Sequence, residues 1–359
     1  MNSTSNESVE PDSKKMAAAL MPLSRATLTQ VRQDAPLYAL VGAYALVAWI
    51  LSLYLGESQR YRPFQYVMLW MILSILVLAV TSAARAFWIN PGRPLSSFVS
   101  MGKKHWNRDF LQRLPVILVT GTFYGVFTSV KNMLPDIHPF SWDPTLAAID
   151  YKMLGDHDGW SLAAAIIPDG LPLKIIDIIY SRGWLIIVMS LSAYVAASPT
   201  MRRYCRQYFL TFFISWIFAG NILACIFMSG GPCFYAEFVG DHLRFAGLMQ
   251  SISGTGSAAV QDYLWNTHVN GWNNLGAGIS AFPSVHMVSM TLVTLLLRKM
   301  SVRLCWVGIF LTIAMELGSV RLGWHYVSDG LVGIAIAVMI WRFIQMVERS
   351  VGRSDVRLA

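Results

Sequence analysis

FQYVMLWMILSILVLAVTSAA, residues 64–84, runs for 21 residues without a charged side chain. A helix of that length rises about 30 Å, the thickness of a bilayer's hydrocarbon core. In hydrocarbon a segment must satisfy its own backbone N–H and C=O groups, and a helix does so within one chain. The apolar residues are continuous rather than alternating, which excludes the pattern of a membrane β-barrel. Seven further runs are predominantly apolar, with at most three charged side chains each, at 37–55, 111–131, 174–197, 206–229, 282–298, 303–320 and 326–347. The expected fold is therefore all-α, a polytopic transmembrane bundle of about eight spanning helices. Segments 282–298 and 303–320 are the shortest of the set.

Composition agrees. Of the 359 residues 55% are hydrophobic and 13% charged, about half the charged share of a soluble domain. The net charge of +8 does not point to nucleic acid here, because its placement follows the membrane. With a cytoplasmic N-terminus, 20 of the 28 Lys and Arg residues fall on the cytoplasmic side, among them Lys14, Lys15, Lys103, Lys104, Arg202, Arg203 and Arg298. Basic residues concentrate on that side of membrane proteins, so both termini are expected to be cytoplasmic. Residues 1–36 are polar and lack the apolar core of a signal peptide; they read as a disordered cytoplasmic tail. Residues 37–110 then hold two helices and a basic loop, 111–347 a membrane domain, and 348–359 a second cytoplasmic tail. Two long loops, 132–173 and 230–281, fall on the opposite side and are expected to fold over the bundle. Cys205, Cys225, Cys233 and Cys305 have no metal-type spacing and read as packed thiols.

Six of the seven histidines lie on that opposite side. His138, His157, His242 and His268 read as interfacial or hydrogen-bonded residues. His286 and His325 stand in richer surroundings. In SAFPSVH, 280–286, Pro283 suits the first turn of a helix, which puts Ser284 and His286 at a helix N-terminus. Free N–H groups there attract anions, and a histidine adds a proton near neutral pH. In GSVRLGWHYVSDGLVG, 318–333, a helix starting near Gly323 would put His325 and Asp329 on one face. A carboxylate beside an imidazole fixes its tautomer, the logic of an activated nucleophile or base. Arg321 brings a fork that suits phosphate oxygens. Glu316 is a carboxyl inside an apolar run without an obvious partner. Two histidines and a carboxylate also form a zinc-type ligand set. Ser284, Arg321 and the helix N-terminus favour an anion over a metal.

These motifs resemble those of the type 2 phosphatidic acid phosphatase superfamily over roughly residues 115–340. The likeness is greatest to the branch of inositol phosphorylceramide synthases and related bacterial membrane proteins. FPSVH at 282–286 is similar to the family's second motif and HYVSDGLVG at 325–333 to its third; GGPCFY at 230–235 also looks like this branch. The resemblance implies a six-helix phosphatase-like core. His325 would attack phosphorus and form a phosphohistidine, Asp329 would orient it, and His286 would protonate the leaving oxygen. Ser284 and Arg321 would bind phosphoryl oxygens, with no metal or other cofactor. The usual first motif, a lysine followed after six residues by Arg-Pro, is missing. KNMLPDIHPFSWDPTLAAID at 131–150 looks like the segment the synthase-like branch carries in that region. It makes Lys131 a candidate phosphate ligand, with Asp143 and Asp150 as further candidates.

The implied activity is a lipid phosphatase or phosphotransferase. Its substrate would be a lipid phosphate or diphosphate at the periplasmic or luminal face of a bacterial inner membrane or endomembrane. Water would give hydrolysis, and an alcohol or polyol acceptor would give transfer. Membrane lipids are the other partners. The competing reading is a transporter or binding protein for an anionic lipid or solute, which also uses intramembrane ionisable residues.

Overall fold

A computed structural model describes residues 12–105, 109–272 and 274–357. Along the chain run α1 (Asp12–Tyr54), α2 (Val67–Ile89), α3 (Pro94–His105) and α4 (Asp109–Ile137), then the short helices α5 (Asp143–Met153) and α6 (Gly159–Ile166). α7 (Leu171–Ile178) continues through a π-helical turn, Ile179–Gly183, into α8 (Trp184–Ala197). α9 (Arg202–Ile217) continues through a second, Phe218–Leu223, into α10 (Ala224–Ile226). Three short helices follow, α11 (Tyr235–Val239), α12 (Ala246–Ile252) and α13 (Gly256–Val269). The chain closes with α14 (Val285–Met300), α15 (Val302–Arg321) and α16 (Val327–Arg357). Among the described residues there is no strand, and the molecule is an all-α bundle.

Seven of these helical stretches are long and apolar enough to cross a membrane. The protein is a multi-pass membrane protein. Exposed apolar side chains ring the bundle: Leu46 and Ile50 on α1, Met68 and Ile72 on α2, Phe310 on α15, Phe343 on α16. Exposure of this extent fits hydrocarbon as the surrounding medium. α14 corresponds to the sixth expected segment and falls short of the other seven. Its 16 residues rise only about 24 Å. It need not match the lipid thickness, because it packs against α9, α15 and α16 at the centre of the bundle. Val288, Met290, Leu292 and Leu296 on it are fully buried. Its polar residues bond within the helix: Ser289, Thr291 and Thr294 each donate to the carbonyl four residues earlier. Aromatic side chains of α4 and α9 fill the rest of the core, with Phe123 stacked on Phe213 at 4.3 Å and Phe212 on Trp216 at 4.7 Å.

The N-terminal segment differs from expectation. α1 begins at Asp12, so of the stretch 1–36 expected to be disordered only residues 1–11 lie outside the described residues. The stretch MAAALMPLSRATLTQ at 16–30 is rich in helix formers and continues the apolar helix backwards.

The two long loops do fold over one end of the bundle, as α5, α6 and α11–α13. Carboxylates fasten this cap. Asp143 accepts from the N–H groups of Gly230 and Gly231 at 2.7 and 2.8 Å. Asp177 of α7 accepts from the N–H groups of Gly256 and Ser257 at the start of α13. Arg244 pairs with Asp158 at 2.9 Å. Each joins segments more than seventy residues apart.

Candidate active site

The cap closes over the N-termini of α14 and α16, where the two signature histidines meet. α14 starts two residues later than expected: Ser284 is its N-cap, and Pro283 stands before it, joined to Phe282 by a cis peptide. The Ser284 hydroxyl accepts the N–H of Met287, and its carbonyl accepts that of Val288. His286 is then the second helical residue. No hydrogen bond among the described residues occupies the N–H groups of Val285 and His286. That open helix end suits an anion.

α16 starts at Val327 rather than near Gly323. His325 therefore lies in the turn before the helix, and its contact with Asp329 is not a helical i,i+4 pair. Asp329 reaches back over the first turn. Its Oδ2 accepts the N–H of Tyr326 at 3.0 Å and lies 3.2 Å from His325 Nδ1. The carbonyl of Asp329 also accepts the N–H of Ser284 at 3.1 Å, which ties the two helix starts together. Asp150 accepts the N–H groups of Val327 and Ser328. The N-terminus of α16 is thus filled by two carboxylates, while that of α14 stays open.

The histidine rings lie 5.8 Å apart, centroid to centroid, and edge to face. His286 rests against Trp184 at 4.3 Å and Tyr180 at 5.1 Å. His325 is 4% exposed. Burial holds it well below the ordinary histidine range, and the neighbouring His286 and Lys131 push in the same direction. Its Nδ1 lies against Asp329, and a hydrogen bond to the Ala281 backbone opposes the fall. A small cavity lined by Asp150, Asp158, Trp160, Phe245 and Tyr326 also reaches His325.

The other expected residues divide. Lys131 of α4 lies beside Gly278, where a Cβ would come within 2.9 Å of its Cγ, and its charge acts on His325. Asp143 is buried among the N–H groups of Gly230 and Gly231 and the Tyr326 hydroxyl, which donates to it at 3.0 Å. Burial raises its carboxyl and these bonds oppose the rise. Asp143 and Asp150 are therefore fasteners of the site wall. Arg321 is fully buried and turned to the cap: it donates to the Ile167 carbonyl at 2.9 Å, to Ser251 Oγ at 2.7 Å and to Asp169. Those bonds, rather than a phosphate, occupy its Nε and one terminal nitrogen. Gly231, with φ of +87°, lets the GGPC loop approach, since a Cβ there would stand 2.6 Å from the Trp324 carbonyl. Tyr180 and Trp184 were not foreseen. They reach His286 because the π-helical turn between α7 and α8 resets the helix face, as such insertions often do at functional sites.

A family model described as the PAP2 superfamily matches residues 145–343. That range holds both histidines, Asp329, α14, α15 and most of α16. No curated protein and no solved structure matches the chain.

Proposed function

Because the chain belongs to the PAP2 superfamily, whose membership supports phosphatase-type activity, we propose that it acts on a lipid phosphate or diphosphate through a phosphohistidine at His325. The observation that carries this reading is the His325–Asp329 contact facing His286 across 5.8 Å. His325 Nε2 attacks phosphorus while the bond from phosphorus to the lipid-side oxygen breaks. Asp329 stabilises the positive charge that develops on the ring. His286 gives its proton to the departing oxygen. In the second half His286 takes a proton from water or an alcohol, whose oxygen attacks phosphorus as the P–N bond breaks. Water yields phosphate, and an alcohol or polyol yields a new ester. Ser284, Lys131 and the open end of α14 stabilise charge on the transferring group. The cap over both histidines limits access of bulk water and supports transfer to a bound alcohol.

In this reading the site faces the periplasm or lumen and both termini face the cytoplasm, supported by the distribution of basic residues. The scheme employs no metal. The test is phosphate release, or transfer to an added alcohol, by purified protein given a panel of lipid phosphates and diphosphates. His325→Ala and His286→Ala should both lose activity, and a chelator should leave the wild type unaffected. Full activity in His325→Ala would sink the mechanism. Chelator sensitivity reversed by zinc would put a metal in its place.

A further inference from the structure

The stretch Leu171–Ala197 is long and apolar enough to cross the membrane, yet carries two exposed cations. Tyr180 and Trp184 face inward against His286, Tyr180 stacked and Trp184 tilted. Arg182 lies between them in the π-helical turn, on the opposite, exposed side. Among the described residues its side chain has no hydrogen bond or ion pair. Lys174, eight residues earlier, is exposed likewise, about 12 Å farther toward the cap by helical rise. The remainder of this face is apolar: Ile175, Ile178, Leu185 and Ile186 are each at least 50% exposed. Gly183 has only its own turn within 4 Å of a built Cβ, so no other helix covers the face there. A cation held against lipid is costly and is usually kept for function.

We propose that Arg182, with Lys174 above it, receives the anionic headgroup of a lipid phosphate from the surrounding leaflet and hands it past Trp184 to His286. The inference rests on the proposed function for its destination. Its own support is the register of the helix: the exposed cation and the rings that wall His286 are two residues apart. A guanidinium fork matches phosphate oxygens and keeps its charge throughout. The flanking Ile178 and Ile186 fit acyl chains. Arg182 thus supplies a basic group from outside the bundle.

The experiment compares wild type, Arg182→Gln and Arg182→Lys on two substrates, a long-chain lipid phosphate in vesicles and a soluble aryl phosphate. Catalytic efficiency of Arg182→Gln should fall at least tenfold more on the lipid than on the soluble ester. The loss should appear mainly in KM, and Arg182→Lys should recover part of it. Equal losses on both substrates would overturn the proposal, as would an unchanged lipid KM. Retention of labelled lipid phosphate in nanodiscs is measured alongside in the His325→Ala background. Adding Arg182→Gln should weaken retention about tenfold, and unchanged retention would also overturn the proposal. If the wild type cleaves neither substrate, the proposed function fails, and the retention result alone decides the role of Arg182.

Discussion

His286 touches two aromatic rings and faces His325, so its removal separates chemistry from binding. For an alkyl ester, whose leaving oxygen needs a proton, His286→Ala should lower kcat by about 10²–10⁴, the usual worth of general acid catalysis. For a nitrophenyl ester, whose leaving group departs as an anion, the loss should be much smaller. Steady-state kinetics on the two esters decides it, and equal losses would remove His286 from the acid role. pH dependence turns on His325. In the proposed mechanism the attacking form is neutral, present above its pKa and lost as pH falls through it. Burial lowers that pKa, so the acid limb of kcat/KM should lie below about pH 6.5, where an unperturbed histidine titrates. A limb above that value would contradict the assignment. The family was legible in advance at this scale, since Pro-Ser-x-His and His-x3-Asp resemble its motifs. The partners of Arg321 were not. They sit at Ile167, Asp169 and Ser251, seventy to more than a hundred and fifty residues away, and no local pattern encodes such a meeting.

At the scale of elements, the proposed mechanism requires the two helix starts to approach closely. Gly333, on the second turn of α16, permits this: a Cβ there would lie 2.6 Å from the Ser284 carbonyl. The obstructing atom is backbone, so it cannot rotate away. Gly333→Ala should push the start of α14 from α16 and cost about 10²-fold in kcat, the scale of a 1 Å misplacement. Thermal unfolding in detergent should show only a modest loss, about 1–3 kcal/mol. Kinetics and melting on the same preparation separate the two effects, and unimpaired turnover would refute the packing account. The spanning helices were readable from their apolar length. The π-helical turns at Ile179–Gly183 and Phe218–Leu223 were not, because an inserted residue alters the face a helix presents without altering its composition. One trace was visible: Arg182 interrupts the apolar run 174–197, and an intramembrane cation marks a functional helix.

For the whole molecule, the distribution of basic residues predicts that both termini face the cytoplasm. A reporter that fluoresces only when folded in the cytoplasm should be bright at either end. A tag at Leu243, an 86% exposed cap residue, should be reached by an impermeant label from the opposite side. A dark reporter at one terminus would break the even count of crossings. The eighth expected crossing, α14, is the informative one, because it falls short of the seven that are long and apolar enough. Its 16 residues are too few to meet lipid along a full core thickness, and burial among other helices removes that requirement.

Hydrophobic runs and charge placement were enough to specify a helical membrane bundle, because the cost of an unpaired backbone group in hydrocarbon leaves few other solutions. The two histidine motifs were enough to suggest the chemistry. Tertiary structure alone decided which distant groups each polar side chain meets. Asp143, Asp150 and Arg321 look like ligands in one dimension, but in three they satisfy buried N–H groups, a carbonyl and a carboxylate of distant segments. Most buried polar groups find a partner, and the identity of that partner is settled only when the cap has folded onto the bundle.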